Sequence, residues 1–146
     1  MANTAGPWHA LIDFYMANTT GKLLDTAMEQ SWDSTGGGGM LYTFDRDFKT
    51  FDSDKLMWPH PEAFSAAFLL AQHHAAAGDA ARTEDYMAWY DKLWAFSHAH
   101  LIDDPGAGGA VASKGGWFGA LDRENDIKIN PKYGSGHLKS WFDDCE

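Results

Sequence analysis

The chain reads as an all-α fold: helix pairs stacked in an array, each pair closed by a short hairpin at the same end. Three observations predict this. The first is a repeat, in which Gly38-Gly39, Asp45-Arg46, Lys55 and His60 return as Gly115-Gly116, Asp122-Arg123, Lys132 and His137 at one offset of 77 residues. The second is the stretch between the copies, whose apolar residues recur at helical spacing over two segments. The third is the run Gly36-Gly37-Gly38-Gly39 and the Gly-rich 106–116, which punctuate those segments. A helix pair with a hairpin, repeated, is the signature of a stacked helical array. It delivers Lys and His to the same end of each pair, so ionisable side chains gather on one rim. We place a single domain over 1–146, with repeat units at about 38–114 and 115–146.

Pro7 suits the first turn of a helix and is followed by Trp8, Leu11, Ile12, Tyr15 and Met16 on one face. The polar 18–21 segment predicts a break, and a second helix over 22–32 turns Leu23, Leu24, Ala27 and Met28 inward. Strands at 40–44 and 49–51 form a hairpin around Asp45-Arg46-Asp47. A third helix starts near Trp58, with Pro59 at its first position, and runs past Phe64, Phe68 and Leu70 to a stop at Gly78. Its alanines (Ala63, Ala66, Ala67, Ala71, Ala75) suit an inner helix packed on every side. Thr83 reads as the N-cap of a fourth helix, with Glu84 and Asp85 in its first turn. Tyr86, Trp89, Tyr90, Leu93, Phe96 and His100 follow at helical spacing, and Asp103-Asp104-Pro105 ends it. A second hairpin joins 117–121 to 127–129. Helices 59–77 and 83–101 are expected to be antiparallel, with both hairpins at one end. Phe64 and Phe68 are expected to stand exposed on a lone chain or to be covered in an oligomer.

Composition narrows the function classes. Hydrophobic residues make up 45 % of the 146 positions and aromatics 14 %, which suits a packed domain and opposes disorder. The formal charge of −10 opposes nucleic acid or an anionic membrane as partner and leaves small neutral or polar ligands. The one cysteine, Cys145, cannot form an internal disulfide, so a reducing cytoplasm is the default. Residues 1–7 lack the basic and apolar regions of a signal peptide, and no 18-residue apolar run is present. His73-His74 and His98-x-His100 lack the i,i+4 spacing that places two ligands on one helix face, so no metal site is expected.

Four stretches together carry a family resemblance. They are Gly39-Met40-Leu41-Tyr42-Thr43-Phe44-Asp45; Lys55 with Trp58-Pro59-His60-Pro61-Glu62-Ala63; Gly116-Trp117-Phe118-Gly119-Ala120-Leu121-Asp122; and Lys132 with His137-Leu138. Over roughly 30–140 the chain resembles the C-terminal half of the N-acylglucosamine 2-epimerase family, which also holds cellobiose 2-epimerases and aldose–ketose isomerases. The resemblance implies part of an (α/α)6 barrel, with the hairpins on one rim. Such a barrel has twelve helices and needs a chain more than twice this length. (α/α)6 glycoside hydrolases are the runner-up, but they need a carboxylate pair at defined separation, and none stands out here.

Epimerising or isomerising an open-chain sugar requires moving a proton at C2, beside the carbonyl. Imidazole suits that task near neutral pH, and no cofactor is needed. The resemblance implies two such histidines. His137 matches one of them by position, although Gly136 and Lys139-Ser140 replace the family's neighbouring aromatic and Arg. His9, with Ile12 and Asp13 after it, is the candidate for the other. Lys55, Trp58, His60, Glu62, Trp117 and Lys132 are the candidate substrate contacts. Trp58 and Glu62 are four apart and share a helix face, so one can stack on a sugar ring while the other holds a hydroxyl. Each also has a plainer role: His60 can pack beside Trp58, Glu62 can complement a helix N-terminus, and the lysines can be solvated loop charges. Trp89, Trp94 and Trp117 read as a carbohydrate platform or as core. The expected function is therefore a sugar 2-epimerase or aldose–ketose isomerase. The alternative is a truncated half-barrel that binds a sugar or a partner subunit without turnover, and a homo-oligomer of such halves would close a toroid.

Overall fold

The computed structural model describes residues 7–103 and 116–128, with the backbone alone for 7–10 and 17. Helix α1 (Pro7–Tyr15) passes through a π-helical turn (Met16–Thr20) into α2 (Gly21–Ser31). Strands β1 (Thr43–Phe44) and β2 (Thr50–Asp52) form an antiparallel hairpin. After β3 (Lys55–Leu56) come α3 (Pro59–Ala76) and α4 (Ala80–Phe96); a second π-turn (Ser97–Leu101) and β4 (Ala120–Leu121) follow.

The predicted break at 18–21 is not a break. Asn18 turns its side-chain amide back onto Phe14 O at 3.0 Å, and Gly21 N–H reaches Met16 O, so the helix widens by one residue and continues. Gly21 is needed for close approach rather than for a turn: a Cβ there would lie 3.0 Å from the Tyr86 hydroxyl. α1 therefore prolongs α2 past the far end of α3, where Asp13 meets His73 at 3.8 Å.

α3 and α4 run antiparallel, as ring contacts show: Phe64 meets Trp94 and Tyr90, Phe68 meets Tyr90, and His74 stacks on Tyr86. The cap of α4 is Asp79, whose carboxylate accepts Arg82 N–H at 3.1 Å. Thr83, expected as the cap, lies inside the first turn and donates its hydroxyl to Asp79 O.

One core forms where Met28, Ala63, Ala67, Leu70, Ala71, Tyr86 and Leu93 meet between α2, α3 and α4. A second, of Phe96, Leu101, Phe118 and Leu121, lies under the rim. α3 is not packed on every side in this chain. Phe68 is 40 % and Leu69 58 % exposed, and Phe64 is only partly buried, as expected of an inner helix lacking neighbours.

Both hairpins sit at the end where α3 begins and α4 ends. The second is reduced: β4 pairs with β3 (Lys55 opposite Leu121, Leu56 opposite Ala120), leaving among the described residues one bridge, Leu121 to Ile127, within 117–128. Met57 N–H donating to Gly119 O at 3.0 Å extends the β3–β4 pair, and the leading segments of the two loops are held by matching bonds. Leu41 N–H donates to Ser31 O and Phe118 N–H to Leu101 O; Asp33 N–H donates to Gly39 O and Asp103 N–H to Gly116 O. The turns also match at the offset of 77. Phe48 and Asn125 both have positive φ (56° and 73°), and Lys49 and Asp126 donate their N–H to the side chains of Asp45 and Asp122.

Candidate functional site

The rim is built from the inside outward. His60, in the first turn of α3, is 0 % exposed. Its Nε2 accepts Met40 N–H at 2.9 Å and its Nδ1 lies 2.8 Å from Leu56 O. A carbonyl cannot donate, so the ring carries its proton on Nδ1 and donates it to Leu56 O. It stacks on Phe96 with 5.1 Å between centroids and 16° between planes. Burial is the main cause holding its pKa down to about 4, against an ordinary 6.5. His60 is therefore a neutral, fully bonded strut, with neither nitrogen left for a sugar.

Lys55 is equally enclosed. Its ammonium donates to Gly36 O at 2.9 Å, Arg123 O at 2.7 Å and Asn125 Oδ1 at 2.7 Å, and pairs with Asp33 Oδ2 at 3.3 Å. Burial lowers its pKa, and the Asp33 hydrogen bond and charge oppose that. Burial also raises the Asp33 carboxyl, but N–H bonds from Gly36 and Thr35 outweigh it and bring the pKa down to about 2. Lys55 is thus neither a solvated loop charge nor a group open to substrate; it ties the first rim loop to the second.

Above these struts, side chains reach solvent. Trp58 caps α3, is 56 % exposed, and meets the half-exposed Tyr42 edge-on at 6.5 Å. Glu62 is exposed one turn further along the helix. Trp117 is partly buried, bridged to Ile102 and packed against the second core. Trp94 leans on Phe64 but remains exposed, and the partly buried Trp89 meets Trp32 edge-on. Lys132 and His137 lie outside the described residues. His9 lies in the first turn of α1, and its backbone is about 33 Å along the helical run from Ser31, taking about 1.5 Å per residue. Among the candidates, then, the structure brings Lys55, Trp58, His60, Glu62 and Trp117 to one rim and sets the His9 backbone at the opposite end.

No site role is legible in the sequence for Tyr42, Asp33, Phe96 or Asn125. Asn125 falls at the repeat position of Phe48, and only the structure shows that both share a positive φ. Asp33 and Phe96 gave no signal, because their roles depend on partners distant in sequence. A separate cleft of about 390 Å³ opens between α2 and α4, where Arg82 is bound to Asp25 and to the Tyr86 hydroxyl at 2.6 Å each. Trp89 lines it, but none of the candidate catalytic or substrate-contact residues does. Among the described residues no group of three or more His, Cys, Asp or Glu could hold a metal ion, and no helix is long and apolar enough to cross a membrane.

Comparison with known proteins agrees with this geometry. Residues 13–138 match the N-acylglucosamine 2-epimerase (GlcNAc 2-epimerase) family. A D-mannose isomerase from Pseudomonas cannabina pv. alisalensis is 30 % identical over 105 residues, which is 72 % of this chain and 22 % of that protein. A crystal structure of D-mannose isomerase superposes with a TM-score of 0.63 at 31 % identity, over 85 % of this chain and 27 % of that one. The chain spans about a quarter of the length of these relatives. Within that span, the α3–α4 pair and its two rim loops are part of an (α/α)6 barrel, and the chain belongs to the N-acylglucosamine 2-epimerase family.

Proposed function

We propose that this chain supplies part of the active rim of a sugar 2-epimerase or aldose–ketose isomerase acting on an open-chain sugar without a cofactor. The observation that carries the reading is the exposed Trp58–Tyr42 pair with Glu62 one turn away. An aromatic face beside a carboxylate suits a neutral polyol, which stacks its C–H face and donates hydroxyl hydrogens. His60 cannot be the base, since both its nitrogens are committed. His137 then takes the C2 proton and returns it to C1 in isomerisation, whereas inversion at C2 needs a second proton donor on the opposite face of the sugar; Lys132 and Trp117 flank the sugar. In this reading Lys55 and His60 support the rim from beneath rather than touch substrate, and His9 has no part.

Titrating the chain with D-mannose and D-glucose, followed by saturation-transfer NMR, tests the binding half. Signal on the sugar protons that Trp58→Ala abolishes is expected. Equal signal from parent and Trp58→Ala would remove the rim from the reading.

A second reading is favoured by one observation: Phe68 and Leu69 are exposed on α3. A quarter-length chain that leaves an inner helix face uncovered can bind a sugar or a partner subunit without turnover. Solution mass combined with isotope exchange separates the two, since a strict monomer without exchange supports only the second.

A further inference from the structure

We propose that Lys55 works as a tethered monovalent cation, its ammonium filling an oxygen cage that spans the two rim loops, and that the cage without the lysine binds free ammonium or potassium. The inference does not rest on the sugar reading.

Four oxygens from four residues converge on one point: Asp33 Oδ2 at 3.3 Å, Gly36 O at 2.9 Å, Arg123 O at 2.7 Å and Asn125 Oδ1 at 2.7 Å. The Phe96 ring closes another side, 5.7 Å from Nζ, and the lysine is 0 % exposed. Two of the oxygens come from the loop after α2 and two from the turn after β4. The cation is therefore the joint between loops that are about 90 positions apart in sequence. Each element of the cage is fixed independently of the lysine. Asp33 is oriented through its other oxygen, which accepts Thr35 N–H, the Thr35 hydroxyl and Gly36 N–H. Asn125 is held by its positive φ of 73° and by its side-chain amide reaching Gly36 O and Gly37 O at 3.3 and 3.4 Å. Arg123 leans on Asp33 Oδ2 at 3.5 Å and donates to the Thr35 hydroxyl at 3.0 Å.

The cage selects its occupant by charge and distance. It has one carboxylate, which also faces the Arg123 guanidinium at 3.5 Å, too little negative charge for a divalent ion. Its oxygens stand farther out than the 2.3–2.6 Å and 2.0–2.1 Å that calcium and magnesium require, and they are fewer than calcium's six to eight. Ammonium, whose four N–H groups match the four oxygens, fits as the cage stands, and potassium, close to it in radius, fits with water completing its shell. Because β3 leads directly into Trp58, the joint also sets where Trp58 stands relative to the second loop, which makes Lys55 a positioning residue.

The test is thermal unfolding of Lys55→Ala, followed by circular dichroism, in ammonium, potassium or choline chloride at matched concentration. In choline the variant should melt roughly 10 °C or more below the parent, since three buried oxygens lose their donor and Asp33 loses its nearer cation. Ammonium or potassium at ten times its dissociation constant should return about 4 °C, while the parent melts alike in all three salts. Adding Asn125→Ala to Lys55→Ala should erase the ion response, because the cage loses an oxygen. If Lys55→Ala is unfolded in choline, folding on addition of ammonium is the supporting result. Identical behaviour of Lys55→Ala in ammonium, potassium and choline, folded or unfolded, overturns the proposal, as does an ion response that survives Asn125→Ala.

Discussion

His60 concentrates the residue-scale physics of the rim. Its folded pKa, about 4, lies below the ordinary 6.5, so the unfolded chain takes up the proton first as pH falls. The stabilisation from keeping it neutral is complete above pH 6.5 and is lost as pH falls from 6.5 to about 4; the difference amounts to roughly 3 kcal/mol. Urea unfolding from pH 7 to 4 should therefore show the parent losing stability more steeply than His60→Gln, and equal slopes would remove this assignment. Gly39 is the companion constraint. Its φ is +82°, and a Cβ would lie 2.4 Å from the Phe96 ring that stacks on His60. Gly39→Ala should cost about 2–4 kcal/mol through strain and overpacking, measurable by the same unfolding, whereas Gly119→Ala, whose Cβ meets nothing within 4 Å, should cost far less. The repeat made Lys55 and His60 visible in the sequence but left their roles open. Burial depends on partners that no local spacing names, such as Asp33, Phe96 and Asn125, so two residues that looked like ligand contacts turn out to be struts.

At the scale of elements, α3 and α4 were legible because periodicity, Pro59 and Gly78 all agree, and agreement across signals is what makes a sequence locally decisive. The 18–21 segment was misread for the opposite reason. Asn-Thr-Thr-Gly carries turn propensity, but Tyr86 packs against Gly21 and the helix continues through a widened turn. The second hairpin kept its turn but gave its strand to β3, an exchange set by loop-to-loop contacts distant in sequence. The α3–α4 contact carries most of the core, with Leu93 fully buried in it. Leu93→Ala should cost about 2–5 kcal/mol in unfolding free energy, and a loss below 1 kcal/mol would place the core elsewhere.

At the scale of the whole molecule, a family member presents Trp58, Tyr42 and Glu62 on its rim over the buried layer of His60 and Lys55. The α3 face bearing Phe68 and Leu69 is where further barrel helices would pack, so analytical ultracentrifugation of Leu69→Glu should shift any association toward monomer. A parent that associates no more strongly than Leu69→Glu would show that this face is not used between copies. The central claim is proton transfer at the sugar C2, and incubation with D-mannose, D-glucose and N-acylhexosamines in deuterated water tests it most directly. We predict solvent deuterium at C2 of one sugar, or at C1 of the ketose formed from it, falling by ~10²–10⁴-fold in His137→Asn and unchanged in His73→Asn. Exchange that is equal in His137→Asn and the parent would contradict the acid/base assignment, and no exchange in the parent with any of these sugars would contradict the claim itself.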